Sequence, residues 1–325
     1  YTLLDDYRKA DFMARVLETG SATYEGTTFK VSEDQPFFLA LGIFRPHLPF
    51  YATKDLLDLF PEEEMDITYD LLEMFKNDGD DVPEFAFSWS GLDRDERGDP
   101  ILGNDRFTTM LSHGRRIDRN QGDLKGWKNM LKHYFASCAI ADRAVGRVLD
   151  GLENSPFADN TMVILWSDHG YALGEKLHIT KFALWDSANQ VNFFIKDPRN
   201  PQSAGKRSFR PVSLIDIYPT VMSVAGLALP DKRITGYDLT PLLANPNAEW
   251  SVPAQSTYGD VDNNMIRTES HKLIQYVDGS REIYDMIKDP EEFDNLAGKR
   301  SVAKAEAQLN ELLKIAIEEG AYTSN

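Results

Sequence analysis

Apolar side chains along this chain fall into two kinds of pattern. Gln35 to Ile43 (QPFFLALGI), Met162 to Trp166 (MVILW) and Val191 to Ile195 are short, nearly unbroken apolar runs, which predict strands buried on both faces. Tyr134 to Leu152 instead places Tyr134, Cys138, Ala141, Val145, Val148 and Leu152 at helical spacing, which predicts an amphipathic helix with one buried stripe. The opening YTLLDDYRKADFMARVL also reads as a helix, and Asp216 to Ala225 carries a Pro in its first turn and Gly226 just beyond, the punctuation of a third. Strands alternating with helices predict an α/β fold, a largely parallel sheet flanked by helices.

Two stretches interrupt that pattern. The first run breaks into FRPHLPF, where prolines stop regular structure, and Ala52 to Gly122 is an acidic excursion expected to carry short helices. After about Leu243 the segments shorten and alternate: Ser256 to Gly259, Met265 to Arg267, Lys272 to Val277, then Glu282 to Asp285 across the Asp278-Gly279 turn. This predicts a small antiparallel sheet followed by a last helix, Ala303 to Glu319. The expected division is therefore a large α/β domain over 1–244 and a small α+β subdomain over 245–325.

Composition narrows the classes. Hydrophobic residues make up 42% of the 325 and no apolar stretch approaches the roughly 20 residues that span a bilayer, so no membrane segment is expected. With 52 acidic against 35 basic side chains the formal charge is -17, which argues against nucleic acid as a partner. Any anionic substrate would need a locally cationic pocket. The single Cys138 excludes an intrachain disulfide or a cysteine-cluster metal site, and its place on an apolar helix face reads as core. The chain opens without a Met or a targeting pattern, so upstream material is expected to be missing, and the lack of any Asn-x-Ser/Thr site favours a bacterial origin.

Candidate chemistry collects just after the apolar runs, where loops converge at strand ends in α/β sheets. Asp168-His169 follows MVILW and joins a hard carboxylate oxygen to an imidazole, a pair able to hold a divalent cation, with Gly170 permitting a tight turn. The plainer alternative is that Asp168 caps a helix and His169 is packed. Glu175, Lys176, His178 and Lys181 crowd the next loop with more ionisable chemistry than a purely structural loop needs. His47, between two prolines after the first run, is either a site residue or a rigid surface residue, whereas His113, His133 and His271 have no such placement.

Four blocks, DQPFFLALGIFRPHLPF, SDHGYALGEKLHITKFALWDSA, VSLIDIYPTVMSVAGL and RTESHKLIQYVDGSREIYDMIKDPEEFDNLA, together resemble the sulfatase family of the alkaline-phosphatase-like superfamily, and within it the iduronate-2-sulfatase-like branch. The resemblance implies a Ca2+ held in part by Asp168 and His169. It further places the histidine of the family's Pro-His-x-Pro block on His47 and the sulfate-binding lysine on Lys181; with these in one pocket, His47 is expected to contact sulfate or act as general acid, and His178 and Lys176 to contact substrate. A formylglycine nucleophile matured from a Cys/Ser-x-Pro-x-Arg motif is also implied, and no such motif occurs in these residues, so nucleophile and partner carboxylates are expected from a missing N-terminal segment. A sulfated small molecule or saccharide and a periplasmic or secreted location are the accompanying expectations.

Two departures bear on substrate choice. Relatives often read Leu-Trp-Glu-x-Ala-Thr-Arg-Val-Pro after the lysine, where this chain has Leu184 to Asn192 without that arginine or proline, and they commonly carry a histidine where Asn264 stands. Two rival readings are kept: a phosphatase or phosphonate monoester hydrolase of the same superfamily, and a non-catalytic fragment that needs its N-terminal part. Lys181 favours sulfate over a two-metal phosphatase, since it supplies one charge where a second cation would sit.

Overall fold

The computed structural model describes residues 5–86, 124–230, 234–259 and 263–318. His113, the part of the acidic excursion from 87 to 122 and the end of the chain from Glu319 lie outside them. The chain divides into two compact units, Tyr1–Tyr69 with Thr108–Met162 and Asp70–Phe107 with Val163–Asn325.

The first unit opens with α1 (Asp5–Thr19) and the hairpin β1 (Ser21–Tyr24) and β2 (Thr27–Lys30). Its two-residue turn, Glu25-Gly26, has positive φ at both positions, as a tight right-twisted hairpin demands. Two short helices follow, α2 (Lys54–Leu57) and, spanning the unit boundary, α3 (Tyr69–Asn77); the long helix α4 (Lys125–Glu153) completes the unit.

The buried face of α4 runs through Trp127, Met130, Ser137, Ile140, Ala144 and Gly151, offset from the expected stripe, and Cys138 is only half-buried. The partner helix sets this offset. α1 presents Ala10 and Ala14, both fully buried, and Gly151 comes so near that a Cβ there would lie 2.5 Å from the Ala14 Cβ. Small residues on both helices allow that approach, and dispersion across a dry contact rewards it. Arg147 closes the seam, donating from Nε to Asp11 at 2.9 Å and from Nη1 to Glu18 at 2.7 Å.

Gln35 to Ile43, expected as a fully buried strand, instead alternates half-buried and exposed positions and joins no ladder with a described strand. Phe38 is exposed, and Phe37 packs edge-on against Phe157 at 4.9 Å. An extended apolar segment becomes a strand only when a neighbour satisfies its backbone, and none of the described strands does so.

In the second unit β3 (Val163–Trp166) and β6 (Phe193–Lys196) form one ladder, with the short hairpin β4 (Ala172–Leu173) and β5 (Ile179–Thr180) and the one-turn helix α5 (Asp186–Asn189) between them. β3 and β6 run antiparallel rather than parallel. The residues between them form the β4–β5 hairpin and the four-residue α5, in place of the crossover helix that a parallel return uses. Next come α6 (Ile217–Val224), entered through a capping box of Ser213 and Asp216, and α7 (Thr240–Ala244).

The C-terminal residues build the expected antiparallel sheet. β7 (Ala254–Thr257), β8 (Asn264–Arg267), β9 (His271–Gln275) and β10 (Arg281–Asp285) form a meander, and α8 (Ala303–Glu318) packs on one face. Ile266, Leu273 and Ile283 meet Val302, Leu309, Leu313 and Ala316 in a closed core. Each large aliphatic residue there contributes about 1.5–3 kcal/mol by leaving water. The fold is thus α/β with a small antiparallel sheet and helix at the C-terminus.

Filling the α1–α4 contact tests how tightly it is packed. Gly151→Val is expected to destabilise the chain by about 1–3 kcal/mol in urea unfolding, the usual cost of overpacking. An unchanged midpoint would show that the helices can separate freely.

Candidate active site

His47 is set by its own loop in the first unit. The Asp6 carboxylate accepts the N–H groups of Phe44 and Arg45 at 2.8 and 3.0 Å, and the Arg45 guanidinium donates to the carbonyls of Pro49 at 2.6 Å and His47 at 3.3 Å. The arginine and aspartate are buried, so the FRPHLPF turn is tied down by charge-assisted bonds. The His47 ring leans on Phe44 at 4.7 Å, its Nδ1 lies 2.7 Å from the Leu48 carbonyl, and the side chain is exposed. A carbonyl acceptor beside Nδ1 puts the proton there and leaves Nε2 facing outward.

In the second unit the Asp168-His169 pair directly follows β3. Asp168 is 85% exposed at its side chain, and its Oδ2 lies 3.5 Å from His169 Nε2. His169 Nδ1 sits 2.7 Å from the Gly170 carbonyl, which fixes the neutral ring as the Nδ1–H form and turns the Nε2 lone pair toward the carboxylate. Gly170 is required by close approach: its N–H donates to the Ala188 carbonyl at 2.7 Å, and a Cβ would meet the carbonyl oxygens of Ser187 and Gln190 at 2.9 Å.

The β4–β5 register brings Lys181 to the same end of the hairpin as this pair. Ala172 pairs with Thr180 and Leu173 with Ile179, so Tyr171 and Lys181 are the next residues outward on the two arms. Lys181 is half-buried, its ammonium 5.8 Å from the Phe182 ring, and Phe182 packs on Tyr258 at 5.5 Å beside the β7–β8 turn. Among the described residues no carboxylate lies within ion-pair distance of Lys181. Asn264, at the start of β8, is 3% exposed, and its side-chain oxygen meets no partner among those residues.

Lys176 and His178, expected to face substrate, lie inside the protein at 2% and 1% exposure. The Lys176 ammonium is held by Asp78 Oδ1 at 2.6 Å and the Glu292 carbonyl at 2.5 Å, with the Trp185 and Tyr284 rings beside it. His178 packs edge-on against Trp185 at 5.9 Å.

Lys176 belongs to a buried polar cluster that the sequence does not announce. The fully buried Lys272 reaches from β9 to Asp186 at 2.7 Å and Glu292 at 2.5 Å, and Asp186 also pairs with Arg267. The Asp186 N–H donates to Glu292 Oε2 at 2.6 Å. Trp185 Nε1 donates to Glu282 at 2.9 Å, and the hydroxyls of Tyr276 and Tyr284 donate to the same carboxylate. The segment from Lys176 to Asp186, Lys181 included, is therefore pinned at both ends from within.

Three carboxylates, Asp78, Asp186 and Glu292, face three cations, Lys176, Arg267 and Lys272, and a fourth, Glu282, is held by the Trp185 N–H and the Tyr276 and Tyr284 hydroxyls. Burial pushes Glu292 up to about 6 against its lysine partner, and burial does the same to Asp78, also to about 6. Burial opposes ionisation of Asp186 too, but Lys272 and Arg267 hold it below its ordinary value. Burial would pull Lys272 down, and Asp186 with Glu292 overrides it, so the ammonium titrates above its usual range.

Solved structures share this fold. One, determined in complex with its substrate D-glucosamine-2-N,6-O-disulfate, superposes with a TM-score of 0.72 at 22% identity, covering 97% of this chain and 69% of the other. The phosphonate monoester hydrolase of Agrobacterium radiobacter does so with a TM-score of 0.64 at 24% identity, over 86% and 57%. At these identities the likeness defines the fold, the α/β class common to sulfatases and phosphonate monoester hydrolases.

The family is set by sequence. The Sulfatase family model matches residues 19–227, and the model for the C-terminal part of N-sulphoglucosamine sulphohydrolase matches residues 174–319. The chain belongs to the sulfatase family. A sulfatase of Formosa agariphila is 33% identical over 91% of this chain and 50% of its own length. An N-acetylglucosamine-6-O-sulfatase of Bacteroides thetaiotaomicron is 31% identical over 62% and 40%. The chain thus spans about half the length, or less, of these curated relatives, and they establish the family rather than the iduronate-2-sulfatase-like branch within it.

A metal ion and a formylglycine belong to the family in general. Asp168 and His169 fit one side of such an ion, since an exposed carboxylate oxygen and an oriented Nε2 lone pair converge. Among the described residues no group of three or more His, Cys, Asp or Glu is placed to hold a metal ion. No described helix is long and apolar enough to cross a membrane.

The burial of Glu292 predicts a pH dependence with a definite sign. Between the ordinary 4.5 of Glu292 and its folded value of about 6, the folded state keeps a proton that the unfolded chain has lost. Its stabilising contribution is therefore complete below pH 4.5 and is lost as pH rises through about 6, about 2 kcal/mol in all. In urea unfolding across pH 4.5–6.5, Glu292→Gln should lack that part of the slope. Parallel wild-type and variant profiles would refute the assignment.

Proposed function

We propose that this chain is the part of a sulfuric ester hydrolase that holds one side of a calcium ion and grips the sulfate, acting on a sulfated sugar outside the cytoplasm. One observation carries the reading: Lys181 stands at the Asp168-His169 end of the hairpin with no carboxylate partner among the described residues, while Lys176 and Lys272 of the same unit are consumed by buried acids. In a chain of charge -17, an uncompensated lysine next to a cation-binding pair marks a place for an anion.

Each residue takes a distinct part. Asp168 and His169 would bind the calcium, which when bound draws electron density from a sulfate oxygen. Lys181 stabilises charge on the sulfate oxygens as the S–O bond breaks, and His47, once its outward Nε2 has taken up a proton, passes that proton to the leaving alcohol. Lys176 and His178 support this loop from behind. The formylglycine nucleophile and the remaining metal carboxylates come from polypeptide outside these 325 residues. That agrees with the absence of a Cys/Ser-x-Pro-x-Arg motif in the sequence and with relatives about twice as long. Exposed Leu165, Trp166 and Phe194 on β3 and β6, in runs patterned for burial on both faces, are consistent with further polypeptide covering them.

The phosphonate monoester hydrolase of shared fold keeps a second reading in play, in which the anion is a phosphonate ester.

The test is turnover of sulfate esters by this chain joined to the upstream part of its reading frame. Lys181→Ala is expected to lower kcat/KM for a sulfated N-acetylhexosamine by about 100-fold or more, in line with the loss of one oxyanion donor. His47→Ala should slow esters of poor leaving alcohols far more than aryl esters, which need no proton. Faster turnover of a phosphonate monoester than of every sulfate ester would transfer the assignment to the second reading. Full sulfatase activity in Lys181→Ala would remove its basis.

A further inference from the structure

The buried ion cluster is joined to the Asp168-His169 pair by a continuous chain of contacts. Asp186 opens α5, and its carboxylate is fixed by the Lys272 ammonium at 2.7 Å and by the Arg267 guanidinium. Two residues on, α5 presents the Ala188 carbonyl to the Gly170 N–H at 2.7 Å. Gly170 then presents its own carbonyl to His169 Nδ1, also at 2.7 Å. The carbonyls of Ser187 and Gln190 leave no room for even a methyl group at Gly170, so α5 and the Gly170 peptide must move together.

We propose that Arg267 and Lys272 are positioning residues for His169: by holding α5 through Asp186 they keep the Gly170 carbonyl against Nδ1 and so reserve Nε2 as the lone pair beside Asp168. As a statement about metal binding this rests on the reading of Asp168 and His169 given above. As a statement about His169 it does not.

The physical basis is that a tautomer is set by the hydrogen bond its other nitrogen makes. A carbonyl on a free loop would sample many positions and hold no preference. This carbonyl is tied to a helix whose first residue is clamped by two cations, one of them fully buried and itself braced by Glu292. Glu292 also accepts the Asp186 N–H, so the first turn of α5 is held through both its side chain and its backbone. A cluster serving stability alone would not need to reach the loop between β3 and β4.

Imidazole nitrogen NMR on the 325-residue chain decides the matter, with the His169 resonances assigned by their loss in His169→Gln. At a pH where the ring is neutral, the wild type is expected to show two well-separated nitrogen shifts with the proton on Nδ1. Arg267→Gln leaves the Lys272–Asp186 pair intact and changes a partly exposed residue, so it should fold. It is expected to draw the two His169 shifts together through tautomer exchange while the His47 shifts stay put. Lys272→Met should do so more strongly, and Lys272→Arg should restore the wild-type pattern.

Calcium titration separates this proposal from the reading beneath it. If calcium moves the wild-type His169 resonances, Lys272→Met should weaken the apparent affinity about tenfold or more, the usual scale for losing a group that orients a ligand. If calcium moves none of them, the metal assignment fails while the positioning role is still judged by the tautomer data. Wild-type His169 shifts in folded Arg267→Gln overturn the proposal, as does a wild-type ring protonated on Nε2.

Discussion

The second unit is organised around one ammonium group. Lys272 is wholly removed from water on β9 and meets two carboxylates, one at the head of α5 and one in the turn after β10. Stripping an ammonium of its hydration costs several kcal/mol, and only close, well-aligned counter-charges offset that. The segments bearing Asp186 and Glu292 are therefore not free to wander: any displacement would strand a charge in a low-dielectric interior. Stability gained this way is modest, since an apolar replacement often does as well, but the geometry it enforces is narrow.

That constraint spreads outward in layers. Trp185, Tyr276 and Tyr284 seal Glu282 on one side, and Lys176 with Asp78 closes the other. The loop from Lys176 to Asp186 lies between these anchors, so the half-buried Lys181 sits on a rigid support although it belongs to no long helix or strand. Precise placement of polar groups is what an anion site requires, and loops rarely supply it without such bracing. In the first unit Asp6 and Arg45 do comparable work for the turn bearing His47, again with a buried acid satisfying backbone N–H groups.

Much of this was readable from the residues and some was not. The C-terminal meander announced itself because alternation and an Asp-Gly turn are local signals, and α1, α4, α6 and α8 followed from spacing and punctuation. The buried stripe of α4 departs from the hydrophobic pattern because Ala, Ser and Gly carry little hydrophobic signal, and a close helix contact selects for small size rather than greasiness. The run from Gln35 to Ile43 has a strand's composition, but pairing is a property of two segments, and sequence lists only one. Asp168-His169 and Lys181 stood out by position after an apolar run. The cluster of Asp78, Asp186, Lys272 and Glu292 did not, because charges scattered over more than two hundred positions look like solvent-facing residues until the fold gathers them. Lys176 shows the same limit from the other side: a charge-rich loop reads as facing substrate, and the fold turns one of its lysines inward.

Cys138 illustrates how little covalent help this arrangement uses. It is the one cysteine of the 325 residues, it lies half-buried in the middle of α4, and burial raises its thiol above the ordinary value. A thiol so placed is a poor nucleophile and a poor partner for exchange. Nothing within these residues cross-links them, so their folding is indifferent to the redox poise of its surroundings, and the same contacts would form in a reducing cytosol or an oxidising exterior.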